Sequence, residues 1–108
     1  MSPVIERKMG ISAVSQLTLD ANRFFEASWA REKGLYAEVY KNLEDLDNAV
    51  QTLAESLCKY NPEAIREAKK VFWSGTEHWD TLLAERAAIS GRLVLSEFTK
   101  RTLKKFSK

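Results

Sequence analysis

Apolar residues in this chain recur mainly at steps of three and four, the spacing that places side chains on one face of an α-helix. The clearest example is the segment from Leu43 to Lys59. Each fully buried Leu or Val contributes roughly 1.5–3 kcal/mol, so this segment predicts a helix that docks firmly wherever a facing surface exists. Its apolar positions are Leu43, Leu46, Val50, Leu53 and Leu57.

Capping residues and glycines divide the rest of the chain into further helices. Ser2 and Pro3 favour a helix start, and Asn61 followed by Pro62 favours another. Gly34 follows a short helical stretch as its C′ residue, and Gly91 marks either a bend or a close helix contact. The predicted helical segments are 3–9, 11–19, 27–33, 43–59, 62–73, 76–91 and a last helix carrying Leu95, Phe98, Thr102, Leu103 and Phe106. The pattern therefore predicts one all-α domain of five to seven short helices over residues 1–108.

One segment, Leu35 to Tyr40, has the alternation of a β-strand. Leu35, Ala37 and Val39 alternate with more polar neighbours, so one face of a strand could be buried. A single strand cannot form a sheet within the chain. The segment is either a strand that needs a partner surface or a short extended connector, and the pattern does not decide between the two.

Composition and charge narrow the classes of protein. The 108 residues are 44% apolar and 30% charged, which is typical of a globular chain. The net charge of +2 is too small to indicate a nucleic-acid or membrane partner, and no apolar run approaches a membrane span. Cys58 is the only cysteine, and the first nine residues carry charges at Glu6, Arg7 and Lys8 in place of a signal sequence. We expect a cytoplasmic protein.

No motif predicts a catalytic or metal site. His78 is the only histidine and Cys58 stands alone, so no zinc-ligand spacing exists. His78 is interpreted as a surface or packing residue, and Cys58 as a packed thiol near a helix end, not a nucleophile. Trp73 and Trp79 flank a turn and form either a stacking platform or, as is more common, core aromatics at a helix corner.

The last helix carries the strongest functional feature. Between residues 100 and 108 the sequence has five basic residues and no acidic one. With Phe98 alongside, Lys100, Arg101, Lys104 and Lys105 combine an apolar surface with cations suited to phosphate. A solvated helix with a buried Phe is the alternative. A nucleic-acid binder is disfavoured by the modest net charge.

Several segments, in order, resemble the crotonase (enoyl-CoA hydratase/isomerase) family. Ser2 to Gly10 resembles the stretch after the family's catalytic loop, and Leu19 to Leu35 resembles its L-T-G-x-R-F-x-A segment. Leu43 to Lys70 is similar to the helix pair that contains N-P-E-A-I-R. The segment from Trp73 to Phe98 resembles the corresponding segment of a hydratase subgroup that includes methylglutaconyl-CoA hydratase-like proteins. The chain departs from the pattern at Asn22, where glycine is usual, and at Tyr36, where valine is common.

The resemblance implies that this chain is the carboxyl-terminal helical, trimerisation region of a crotonase fold. The family's amino-terminal core supplies the oxyanion hole, most of the CoA pocket and the acidic catalytic residues, and it precedes the matched region. The oxyanion hole provides a large share of the catalytic stabilisation. We therefore expect no hydratase activity, no catalytic residue, no metal and no cofactor in this chain, with a CoA thioester as substrate of the intact enzyme.

The resemblance also implies a site and partners. The last helix would contribute Phe98 and Arg101, with Lys100 close by, to the adenine and phosphate end of CoA. The family's helices assemble trimers or hexamers. The apolar helix faces of this chain need another surface to cover them where the family's amino-terminal core does not. We therefore expect self-association, including by helix exchange. The alternative is a free-standing helical self-association module without enzymatic activity.

Overall fold

The computed structural model describes residues 2–107, and this part of the chain is all-helical, without a strand. The predicted all-α fold is confirmed. The segment from Leu35 to Tyr40 is a connector that forms neither helix nor strand and bends at Leu35 and Ala37. The six helices of the described residues are α1 (Pro3–Leu19), α2 (Ala27–Glu32), α3 (Leu43–Lys59), α4 (Pro62–Phe72), α5 (Trp79–Val94) and α6 (Glu97–Phe106).

Helix α1 consists of two arms joined at a break. The hydroxyl of Ser2 accepts a hydrogen bond from the Ile5 amide at 3.5 Å, and Pro3 occupies the first helical position. At Gly10 the backbone has φ 79° and ψ 160°, which no helix can accommodate. The two arms correspond to the two short helices predicted on either side of Gly10.

A small core lies where α1 meets α2. Met9, Ala13 and Val14 are buried together, and Val14 is only 2% exposed. Partly buried side chains from α1, α2 and the following connector pack against this cluster: Ile5, Trp29 and Leu35. The buried core of the described residues thus lies at the amino-terminal end of the chain.

Local capping sets the starts of α3 and α4 where the sequence predicts them. The side chain of Asn42 accepts a hydrogen bond from the Asp45 amide at 2.8 Å, and that of Asn61 accepts one from the Glu63 amide at 3.0 Å. These bonds satisfy amides that have no partner inside the helix.

Helix α5 begins three residues later than predicted. The Thr76 hydroxyl donates to the Trp73 carbonyl at 2.7 Å and closes a turn, so Thr76 does not start the helix. The helix then continues through Gly91 to Val94. Nothing lies within 4 Å of the position that a Cβ on Gly91 would take, so Gly91 makes no close helix contact.

Most large apolar side chains of the other helices are exposed. Among residues 2–107, α3, α4, α5 and α6 contain no buried residue, and the five apolar side chains of α3 are 41–70% exposed. The main interhelical contacts join α5 to α1 and α5 to α6. Accessible surface is 9304 Å², whereas a folded monomer of 12.3 kDa exposes about 6,100 Å². The firm docking expected of α3 therefore does not occur within one chain.

Candidate functional site

Helix α6 is a short helix anchored to the end of α5. The Ser96 hydroxyl accepts from the Thr99 amide at 3.3 Å, and the Thr99 hydroxyl donates to the Leu93 carbonyl at 2.9 Å. Glu97 in the first turn and Lys104 and Lys105 in the last turn suit the helix dipole. The helix presents the rest of its surface outward.

The three predicted CoA-contacting residues, Phe98, Lys100 and Arg101, are all exposed on α6. Phe98 and Arg101 are three positions apart and are therefore neighbours on one face, whereas Lys100 lies two positions from Phe98 and points to a different side. Phe98 is 76% exposed, which rules out the alternative of a solvated helix with a buried Phe. The structure thus places Arg101 beside Phe98 and separates Lys100 from it.

Two of these cations also interact with Glu97. The Lys100 ammonium lies 3.2 Å from the Glu97 carboxylate, and the Arg101 Nε donates to the Glu97 carbonyl at 3.3 Å. Both interactions are exposed to solvent, where ion pairs contribute about 0–1 kcal/mol. Such pairs can rearrange at small cost when a phosphate approaches.

A shallow groove of about 540 Å³ runs along one flank of α6. Lys100 and Arg101 line it, but Phe98 does not. Lys104 and Phe106 were not among the predicted CoA contacts. Lys104 could have been predicted from its position four residues after Lys100, because that spacing places both side chains on one face of the helix. The groove offers three cations and an apolar wall to an anionic ligand with a flat apolar part. Its lining residues are Glu97, Lys100, Arg101, Leu103, Lys104, Phe106 and Ser107.

The two tryptophans at the α4–α5 corner surround Arg7. The Arg7 guanidinium donates to the carbonyls of Phe72 at 2.8 Å and Ser74 at 3.0 Å. It lies 5.9 Å from the ring centres of both Trp73 and Trp79, and the two rings are 5.8 Å apart at 75°. These contacts favour a packing role of the tryptophans over a stacking platform for a ligand. The packing is at the surface and not in a core, since Trp73 is 39% exposed and Trp79 is only half-buried.

A cleft of about 430 Å³ between α1 and α5 contains His78. Its charged groups join helices: the Glu6 carboxylate accepts from Arg86 at 2.9 Å, and both side chains are about one-quarter to one-third exposed. Arg7, also in the cleft, binds the end of α4. The cleft therefore holds the fold together, and its contacts arrange no nucleophile with a base.

Other kinds of site find no support in the described part of the chain. Residues 2–107 contain no group of three or more His, Cys, Asp or Glu side chains arranged to hold a metal ion. None of the helices in that range combines the length and apolarity needed to cross a bilayer. Cys58 is exposed on α3, so the prediction of a packed thiol is wrong.

Comparison with protein-family models, with curated proteins and with solved structures found no match to this chain. The groove on α6 and the exposed apolar faces of the other helices are the features on which a functional proposal can rest.

Proposed function

We propose that this chain is the carboxyl-terminal helical region of a crotonase-type protein. In the intact enzyme the reaction would be the reversible hydration of 2-enoyl-CoA thioesters in fatty-acid or branched-chain acyl-CoA metabolism. The ordered resemblance from residue 2 to residue 98 supports this assignment. We place the protein in the cytoplasm, without a nucleic-acid or membrane partner.

The observation that carries the proposal is the amount of surface left uncovered. The chain exposes about 3,200 Å² more than a folded monomer of its mass, and its radius of gyration is 18.9 Å against about 13 Å for a compact domain of this length. Helices with such apolar faces suit a region that covers another surface. Its roles would be oligomerisation, as a trimer or hexamer in the intact family, and completion of part of the CoA pocket.

In this proposal α6 binds the nucleotide end of acyl-CoA. Arg101 and Lys100 would contact phosphate, and Phe98 would pack against the adenine ring. The groove adds Lys104 as a third cation on the same flank. The chain alone would hold no catalytic residue, so we expect no turnover of crotonyl-CoA by this polypeptide.

The test uses the intact enzyme and measures acyl-CoA affinity by calorimetry. Phe98→Ala and Arg101→Ala should each weaken binding about tenfold, because each removes a stacking or charge-assisted contact worth about 1–2 kcal/mol. Lys69→Ala is the matched control, since Lys69 is an exposed cation on α4 outside the α6 groove. Unchanged affinity in both α6 variants would contradict the assigned site.

A free-standing helical self-association module is the second candidate, and the uncovered faces of α3, α4 and α6 favour it equally. The intact mass of the native gene product separates the two. A product well over twice this length supports the crotonase proposal. A native product of 12.3 kDa that self-associates without CoA affinity supports the second candidate.

A further inference from the structure

Helix α3 has an apolar stripe with a single charged residue beside it. Its five apolar side chains, from Leu43 to Leu57, are 41–70% exposed. Since successive helix residues turn by 100°, Asp47 lies about 80° from the centre of the stripe. The other charged residues lie about 120° or more from that centre, towards the far side of the helix: Glu44, Asp45, Glu55 and Lys59. The surface that a partner would touch is therefore apolar and nearly neutral.

Short side chains on both flanks of the stripe allow another helix to approach closely. Ala54 lies on the same flank as Asp47, and Ala49 and Ser56 lie on the opposite flank. Packed helices have axes about 8–10 Å apart. No long side chain on either flank keeps a second helix from reaching that distance.

The stripe is complementary to itself. Its residues follow steps of three, four, three and four, the spacing of helices that pair along a common seam. Read in the opposite direction the steps are four, three, four and three, so a reversed copy presents apolar residues at matching levels. When Val50 lies beside Leu53 of a second copy, Leu46 lies beside Leu57 of that copy. The same two contacts then repeat on the other side of a two-fold axis.

We propose that α3 pairs with α3 of a second copy of this chain, antiparallel about a two-fold axis that passes between Val50 and Leu53. The inference rests on the oligomerisation proposed above and names the surface that provides it. A hexamer of two trimers contains two-fold axes, so the pairing is compatible with the crotonase proposal as well as with a free-standing module. Helix α6 takes no part in it and remains available for acyl-CoA.

The helix dipoles and Asp47 favour the antiparallel direction. Antiparallel helices place unlike ends of their dipoles side by side, whereas parallel helices place like ends together. In the register given above, Asp47 faces Ala54 of the second copy, because residues on this flank face each other in an antiparallel pair. No like charges therefore meet across the contact.

Two grooves beside α3 extend the contact surface. They lie between α3 and the connector from Leu35 to Tyr40 and have volumes of about 420 and 340 Å³. Tyr36 and Tyr40 line both grooves and are 49% and 39% exposed, so they can pack against the second helix. A standard interface takes about 800 Å² from each partner, about a quarter of the roughly 3,200 Å² by which this chain exceeds a folded monomer. The stripe and the two tyrosines provide exposed area of that order.

Opposite charges introduced at position 54 test the pairing, by sedimentation equilibrium of the full chain at low salt. Ala54→Lys places an ammonium opposite Asp47 of the second copy in both symmetric contacts, and it should lower the dissociation constant about fivefold. Ala54→Glu places a carboxylate there and should raise the dissociation constant about fivefold. Within one α3 helix, no charged residue lies three or four positions from Ala54. The two variants therefore report on the second copy.

A charge-exchanged variant checks that Asp47 is the group opposite. Asp47→Lys/Ala54→Glu reverses the proposed ion pair and should associate about as tightly as Ala54→Lys. Thr52→Lys and Thr52→Glu are the matched controls, because Thr52 lies about 140° from the centre of the stripe and its variants change the net charge by the same amounts. Their dissociation constants should agree within about twofold. Circular dichroism verifies that every variant keeps its helices.

The contrary results separate this pairing from the proposed function. Self-association that is equally strong in Ala54→Lys and Ala54→Glu, or a charge-exchanged variant as weak as Ala54→Glu, overturns the antiparallel α3 pair but leaves the proposed oligomerisation standing. A chain that remains monomeric at every concentration overturns both the pair and the self-association. Neither result bears on the acyl-CoA site, which is tested separately by the α6 variants.

Discussion

Gly34 lies where the end of α2 approaches the backbone of α1. It has φ +86°, and a Cβ at this position would lie 2.9 Å from the Lys8 carbonyl oxygen. Gly34→Ala should lower the free energy of unfolding by about 2–3 kcal/mol, because it combines left-handed backbone strain with a collision against backbone that cannot easily move. Chemical denaturation followed by circular dichroism measures this loss.

Gly75 provides the matched control for Gly34. Its φ is +81°, but no atom lies within 4 Å of the position that a Cβ would take there. Gly75→Ala should therefore show the strain alone, about 1 kcal/mol. Equal losses in the two variants would contradict a close approach between α2 and α1 at Gly34.

At the scale of the helices, the buried and the exposed apolar positions should respond differently to the same substitution. Val14→Ala in α1 should lower the free energy of unfolding by about 2 kcal/mol, because Val14 is 2% exposed in the core. Val50→Ala in α3 should change it by less than about 0.5 kcal/mol in dilute solution, because Val50 is 59% exposed and Ala favours helix. Urea denaturation at low protein concentration measures both.

Protein concentration distinguishes the two roles further. At concentrations where the chain self-associates, Val50→Ala should weaken the assembly, and Val14→Ala should act mainly on the fold of each copy. A large loss from Val50→Ala in the dilute monomer would contradict the exposed α3 face.

The helix boundaries were predictable to the extent that local groups set them. The cap at Asn61 was predicted, and its side chain does bond the Glu63 amide. Asn42 caps α3 in the same local way but was not predicted as a cap. The start of α5 was missed because the Thr76 hydroxyl bonds backwards to Trp73 and not forwards into the helix. Helical periodicity fixed which α3 residues share a face, but what covers that face depends on other surfaces.

The candidate site was predicted only in part. The cluster of cations drew attention to α6, and Lys100 and Arg101 do line its groove. Phe98 lies outside the groove because successive helix residues turn by 100°, which separates it from Lys100. The placement of Arg7 between two tryptophans and two carbonyls depends on contacts across 65 residues or more, and no local pattern indicates it.

At the scale of the whole molecule, the uncovered surface predicts a stability that depends on concentration. Folded chains associate with one another and unfolded chains do not, so association stabilises the folded state by mass action. The melting temperature should therefore rise as protein concentration is increased a hundredfold. Calorimetry at several concentrations measures this, and a constant melting temperature would contradict self-association.

The ion pair between Glu6 and Arg86 joins residues that are 80 positions apart. Closing a flexible loop of that length costs about 4 kcal/mol in chain entropy, which is more than a partly exposed ion pair supplies. The junction of α1 and α5 therefore depends on the helices between them to shorten and stiffen the loop. Whatever immobilises α3 in an assembly reduces that entropy loss. Burial of the central helices and closure of the two ends should then reinforce each other.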